Sequence, residues 1–312
     1  MFQQLNNVTV GFDFSVGASN ALRVAVSIAR SSGAKLHVVT AIPGIAEDGA
    51  PSVESAGRDV AAGADVLRSV EEKVRENIHE ELGTDLDVHI EAGFAKPVQL
   101  ILESIKNYDA DLLIIGALGR DSDASRGLGV DGMRIVRRSP VPVLIIPEDV
   151  AWPPRRVLCA VDFSEASERA LDAAVMLANA ISAPLTALHV IETEPVFDWA
   201  TFGMTAPPDT AALAAKAQRK LKTLLADRDA GANVAAVCVE GSASRIISTM
   251  VHSEEVDLLV IGSIGRSAFQ EVLVGGTTER VLRKMPCAIL ATKPDTFAIQ
   301  SSERGLPPIS GR

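Results

Sequence analysis

Two short runs of branched apolar residues stand out along the chain, LLII at 112–115 and LLVI at 258–261. Each is preceded by an aspartate and followed by a glycine. An unbroken apolar run of this length, bounded by turn residues, predicts a strand buried on both faces, as in a parallel sheet. Around each run the same order of patterns recurs. A strand (8–12; 157–161) leads to an aspartate, and a small-residue turn opens a helix (about 19–31; about 165–180), with Ser164 or Ser167 as its cap. A second strand (35–41; 185–191) leads to a long helix (about 63–82; about 210–226). A third strand (87–91; 233–240) runs to Gly93 or Gly241. A further helix precedes the apolar run, and a last helix and fifth strand (141–147; 287–293) close the series. Strands alternating with helices predict an α/β fold in which each half is doubly wound around a five-stranded parallel sheet.

The two series are copies. Val-Gly-Phe-Asp13-Phe14-Ser15 falls on Cys-Ala-Val-Asp162-Phe163-Ser164, ADLLIIGALG on VDLLVIGSIG, and SPVPVLIIP on MPCAILATK. A period near half the chain length is too long for a solenoid and reads as a duplicated domain. The expected domains are 1–148 and 155–294, joined by the proline-rich PEDVAWPPRR, with a disordered tail at 295–312. Two segments fall outside the pattern. Residues 43–62 are small and acidic, and 192–208 carry Phe197, Trp199, Phe202 and Met204. The aromatic cluster reads as local packing of that loop onto its own domain.

Composition narrows the function. The formal charge of −10 argues against a nucleic-acid surface or an anionic membrane. No apolar run approaches the roughly 20 residues that span a bilayer. The start, MFQQLNNVTVGFD, lacks a basic region followed by an apolar stretch, so no secretory signal is expected. Cys159, Cys238 and Cys287 have no metal-ligand or CxxC spacing and each lies in a predicted strand of the second half, which suits buried free thiols in a reducing cytoplasm. His37, His79, His89, His189 and His252 show no ligand spacing, and His37 and His189 read as core histidines. No metal site is expected.

The candidate chemistry gathers after the fourth strand of the second half. Gly262 and Gly265 lie where the chain must turn, and Gly275, Gly276, Thr277 and Thr278 precede the helical TERVLRKM. Glycines between a strand's carboxyl end and a helix's amino end leave free backbone N–H groups near a partial positive charge, a place for phosphate. Neither a Walker A loop nor a G-x-G-x-x-G after the first strand is present. In a doubly wound sheet, ligands bind outside the strands' carboxyl ends, where the strand order reverses. Asp162, the end of the second strand and Gly262 all fall on that edge.

With the repeat and the glycine spacing together, the chain resembles a tandem universal stress protein, except in the linker, the two irregular segments and the tail. Nucleotide-binding members of that family carry G-x2-G-x9-G-(S/T). The second half shows Gly262-x2-Gly265-x9-Gly275, then Gly276 in place of the hydroxyl residue, with Thr277 one position later. VDFSE, LHVI and TERVLR match further family features. The resemblance implies a Rossmann-like, adenine nucleotide alpha hydrolase-like fold and an ATP site. In that site Asp162 and the backbone at Val190 would hold the nucleoside end. Ile261, Gly262, Gly265, Gly275, Gly276, Thr277 and Thr278 would surround the ribose and phosphates, and Mg²⁺ could accompany the phosphates without a protein cage. The first half keeps the spacing as Gly116, Gly119 and Gly129, with Asp13 and Ala41 in the nucleoside positions. Val130 and Asp131 then stand where the phosphates would lie, so this site is expected to be empty or weak.

Three functions are carried forward. The first is a cytoplasmic, stress-response regulator that binds adenine nucleotide in its second domain and whose occupancy alters contacts with a protein partner. The second is a nucleotide-free scaffold of the same family. The third is an enzyme related to ATP pyrophosphatases, ranked low because FDFSVGAS and VDFSEAS lack the S-G-G-x-D-S loop. No positioned base or arginine finger predicts fast hydrolysis. The family's use of fifth strands in dimers implies that the two halves pair within the chain; association of two chains is left open.

Overall fold

The computed structural model describes residues 5–42, 60–82, 86–117, 127–149, 151–192, 210–228, 230–231, 233–263 and 275–294. The chain divides into two units, Met1–Val150 and Ala151–Arg312. A universal α/β plan is seen in both, and each is described by itself.

In the first unit, β1 (Asn7–Gly11), α1 (Val16–Ser32), β2 (Lys35–Ile42), α2 (Val60–Leu82), β3 (Val88–Phe94), α3 (Pro97–Asn107), β4 (Leu112–Gly116), α4 (Val130–Arg138) and β5 (Val143–Ile146) follow in chain order. The strands lie in the order β3-β2-β1-β4-β5, and every neighbouring pair is parallel. The second unit repeats this with β6 (Val157–Ala160), α5 (Glu165–Ile181), β7 (Leu185–Ile191), α6 (Thr210–Ala226), β8 (Val234–Glu240), α7 (Ala243–Ser253), β9 (Leu258–Gly262), α8 (Gly276–Leu282) and β10 (Ala288–Thr292). Its order is β8-β7-β6-β9-β10, again parallel throughout. The order reverses beside β1 and beside β6, which makes the crevices next to them the switch points.

The apolar runs behave as their pattern requires. Leu112, Leu113 and Ile114 are fully buried, as are Leu258, Leu259 and Val260. Helices on both faces leave no exposed side for alternation to mark. The aspartate before each run has a defined task. Asp111 Oδ2 accepts from the Asn6 N–H (2.7 Å) and the Asn7 N–H (3.0 Å). Asp257 Oδ2 accepts from Arg155 N–H (2.7 Å) and Arg156 N–H (3.1 Å). Each carboxylate ties the entry of one central strand to the entry of its neighbour.

Helix ends explain several boundaries. Ser15 caps α1 by accepting from the Ala18 N–H, and Gly33, at φ 72°, ends it in the left-handed conformation. Ser164 caps α5 by accepting from the Ser167 N–H, which settles the choice between Ser164 and Ser167. Ser167 instead donates its hydroxyl back to the Ser164 carbonyl oxygen at 3.0 Å. Strand β3 runs on past Glu91 through Gly93 to Phe94 because all seven residues from Leu36 to Ile42 find partners on it.

Candidate functional site

The second unit has a cavity of about 970 Å³ at the carboxyl ends of β6, β7 and β9. Asp162, Val190, Ile261, Gly262, Gly275, Gly276, Thr277 and Thr278 all line it. Its size is at the upper end of the range for pockets that hold cofactor-sized ligands, about 300–1,000 Å³. Gly265 lies outside the described residues, as does Gly119 in the first unit. The 192–208 aromatic cluster, most of the 43–62 segment and the 295–312 tail do so too.

Two close contacts shape the cavity's floor. A Cβ on Gly262 would lie 2.9 Å from both the Ala166 carbonyl carbon and the Ser167 nitrogen. The glycine therefore lets the end of β9 pack against the first turn of α5. Gly116 has the same relation to α1, with the Gly17 carbonyl carbon at 2.6 Å. These glycines thus serve backbone packing, a role that phosphate-motif spacing does not reveal. Gly276 differs: nothing lies within 4 Å of a Cβ placed there. Its side faces open space in the cavity wall.

The residue after β9 and the residue before α8 are tied together by backbone bonds. The Ser263 N–H donates to the Thr292 carbonyl oxygen at 2.9 Å, and the Gly275 N–H donates to the Ser263 carbonyl oxygen at 2.9 Å. Ala117, Ile146 and Gly129 repeat both bonds in the first unit, at 2.8 and 3.1 Å. Thr278 is 4% exposed, and its hydroxyl donates to the Gly262 carbonyl oxygen at 2.8 Å. The Thr278 side chain thus fastens α8 to β9. That leaves the hydroxyl of Thr277 and the turn's backbone N–H groups other than that of Gly275 as donors for an anion.

Asp162 Oδ1 accepts from the Ser164 N–H (3.0 Å) and the Ser164 hydroxyl (2.5 Å). The carboxylate is thereby oriented by the turn that opens α5. Phe163, at φ 63°, follows in the left-handed region. Its ring lies 4.4 Å from the His189 ring, and the Lys220 ammonium stands 4.3 Å from its centroid. His189 Nδ1 lies 2.7 Å from the Val161 carbonyl oxygen. Because a carbonyl only accepts, Nδ1 carries the hydrogen.

Three lining residues escaped the sequence reading. His189 is not a core histidine but a wall of the cavity, because β7 ends at the crevice and its last residues are half-buried. Lys216 and Lys220 line it from α6. Their i, i+4 spacing was legible as one helix face, but which element that face meets is set by the tertiary packing.

In the first unit, Asp13 Oδ1 accepts from the Ser15 N–H at 3.0 Å, which repeats the Asp162 turn. Ala41 lies near the end of β2, Gly116 ends β4, and Gly129 caps α4. Val130 is 69% exposed, and Asp131 pairs with Arg134 at 2.9 Å. An apolar side chain and a carboxylate thus open the helix at the position of Gly276 and Thr277.

His37 is 7% exposed, stacks on Tyr108 with ring centroids 4.2 Å apart, and has Nε2 3.3 Å from Asn7 Oδ1. Its Nδ1 finds no partner among the described residues, so this core histidine is only half satisfied. Burial, with His89 and Lys35 nearby, pushes its pKa down; Asp87 and Glu91 oppose the shift. Cys159 and Cys287 are buried free thiols, the latter one residue before β10, and Cys238 is half-buried. Burial raises the Cys287 thiol to about 12 and Cys159 further still. Neither is a nucleophile at neutral pH.

A doubly wound unit occurring twice, each with an aspartate-led turn and a glycine-bounded segment at its switch point, defines the class of protein. The family model described as the universal stress protein family matches residues 4–147 and again 154–293. The chain belongs to the universal stress protein family, with two family domains in tandem. A universal stress protein of Mycobacterium tuberculosis is 32% identical over 203 residues, which are 62% of this chain and 64% of that relative. A Synechocystis relative is 28% identical over 61% of this chain and 60% of its own length. The chain therefore matches less than two thirds of the length of either. Among solved structures, a universal stress protein from Archaeoglobus fulgidus superposes with a TM-score of 0.65 at 20% identity. It covers 93% of this chain and 98% of that one. A Pseudomonas aeruginosa chain gives 0.68 at 19%, covering 97% and 98%. These two establish the shared fold. Among the described residues no helix is long and apolar enough to cross a membrane.

Proposed function

We propose that the second unit binds an adenine nucleotide, ATP, and that occupancy of this cavity alters the chain's contacts with a protein partner in a cytoplasmic stress response. The observation that carries the reading is the convergence of Asp162, Val190, Gly262 and the Gly275–Thr278 turn on one 970 Å³ cavity. Asp162 accepts from a ribose hydroxyl or the adenine amine, and the end of β7 offers backbone groups to the adenine edge. Phosphates lie against the Gly275–Thr278 turn, where the bare wall at Gly276 permits close approach. Among the described residues no cluster of His, Cys, Asp or Glu could hold a metal ion. Mg²⁺ would accordingly enter on the phosphates with its own water.

The protein acts as a binding module and not as a fast hydrolase. Asp162 is held in its turn by Ser164, and no arginine lines the described cavity wall. The first unit contributes fold and surface, because Val130 and Asp131 oppose phosphate there. The test is to purify the protein without added nucleotide, denature it, and quantify the released small molecules by chromatography and mass spectrometry. About one ATP per chain is expected. Two per chain would make the first unit competent. None, with no binding on titration, would favour the nucleotide-free scaffold, for which the missing hydroxyl at Gly276 is the supporting feature.

A further inference from the structure

We infer that Lys216 and Lys220, on α6, set the cavity's preference for phosphorylated nucleotides over the bare nucleoside. This rests on the nucleotide reading of the same cavity and assigns the source of its anion affinity.

The inference begins with the face of α6. Leu213, Lys216, Ala217 and Lys220 all line the cavity. Spaced i, i+3, i+4 and i+7, they form one continuous helical stripe. Such a stripe ordinarily enters a core. Here Leu213 is 45% exposed and both lysines are exposed. The stripe is therefore a wall facing a solvent-filled space.

Charge makes that wall consequential. Among the described lining residues the carboxylates are Asp162 and Glu192, and the lysines are Lys216 and Lys220. Without the lysines the described wall carries two negative charges, in a chain whose formal charge is −10. A phosphorylated ligand would meet repulsion there. With them the wall is balanced, and an added anion gains from two ammonium groups on the same cavity wall. The glycine turn cannot supply this charge alone, because Gly276 stands where a hydroxyl would add a donor and Thr278 donates its hydroxyl to Gly262.

Lys220 is also placed. Its ammonium stands 4.3 Å from the centroid of Phe163, the residue after Asp162. Phe163 in turn packs against His189 at 4.4 Å. Cation–π contact with a ring braced in this way holds the ammonium beside Phe163 at the cavity wall, while the lysine side chain stays exposed. Lys216, one turn earlier on α6, extends the positive wall.

The test uses the full chain and two ligands, ATP and adenosine, followed by titration calorimetry. Lys216→Met with Lys220→Met keeps the aliphatic stems and removes both charges. The ATP dissociation constant should rise about tenfold or more, whereas that for adenosine should change less than about twofold. The salt dependence of ATP binding should weaken. Lys216→Arg with Lys220→Arg should retain ATP affinity, since it keeps charge while changing shape. Equal loss for ATP and adenosine, or no loss for either, would overturn the inference while leaving the nucleotide reading intact. A wild-type protein that binds neither ligand would remove the nucleotide reading and this inference together.

Discussion

The hydroxyl of Thr278 donates to the carbonyl oxygen of Gly262, at 2.8 Å, inside the second unit. One bond joins the first turn of α8 to the last residue of β9. Gly132 occupies the corresponding place in the first unit, where no hydroxyl is available. The site wall in the second unit is thus built from a side chain that a spacing motif treats as a ligand.

Thr278→Val retains shape and removes the donor. It should cost about 1 kcal/mol of stability, within the range for a lost internal hydrogen bond, and weaken ATP binding several-fold. Thr278→Ser should restore both. Chemical denaturation and titration calorimetry read the two quantities. A Val variant with unchanged stability would show that the bond carries nothing.

Gly276 offers a cleaner probe of the cavity than Gly262. Gly276→Asp places a carboxylate in open space at the wall, so ATP binding should fall about tenfold or more while the melting temperature holds. Gly129→Asp, likewise in open space, should leave ATP binding within about twofold. Equal losses from both would defeat the assignment of the site to the second unit. Gly262→Ala should destabilise the protein by about 1–3 kcal/mol through its contact with the α5 backbone, so a binding defect there would report folding.

Lys293 should make stability depend on alkaline pH. It is 7% exposed, and burial lowers its pKa from 10.5 to about 7. Between those values the unfolded chain holds a proton that the folded chain lacks. Stability therefore falls as pH drops from about 10.5 to about 7 and levels off below. Lys293→Met removes the desolvation cost. It should raise stability at pH 7 and reduce the difference between pH 7 and pH 10. Parallel stability profiles for the two proteins would refute the assignment.

Turnover should be slow. ATP hydrolysis by the isolated protein is expected below about 0.1 per second, against an enzyme median of about 10 per second. The assay is phosphate release from purified protein. Faster release that disappears in Asp162→Ala would make the protein an enzyme.

Much of this molecule is determined by local pattern. The buried runs at 112–115 and 258–261, the capping serines Ser15 and Ser164, and the left-handed Gly33 each follow from steric and hydrogen-bonding rules acting over a few residues. The duplication is visible in the same way, because both copies obey those rules at the same spacing. Asp162 and the glycines at 262, 275 and 276 could be placed on one crevice because a parallel sheet sends every strand's carboxyl end to the same edge.

What the tertiary structure decided is how each residue is spent. Gly262 serves the approach of α5, Thr278 ties α8 to β9, and His189 leaves the core for the cavity wall. Lys216 and Lys220 become part of the site only because α6 lies over β7 and β8. Period and composition determine which face of a helix is polar, whereas the partner of that face is set by packing between elements distant in sequence. That long-range choice places an exposed pair of lysines on the wall of the cavity.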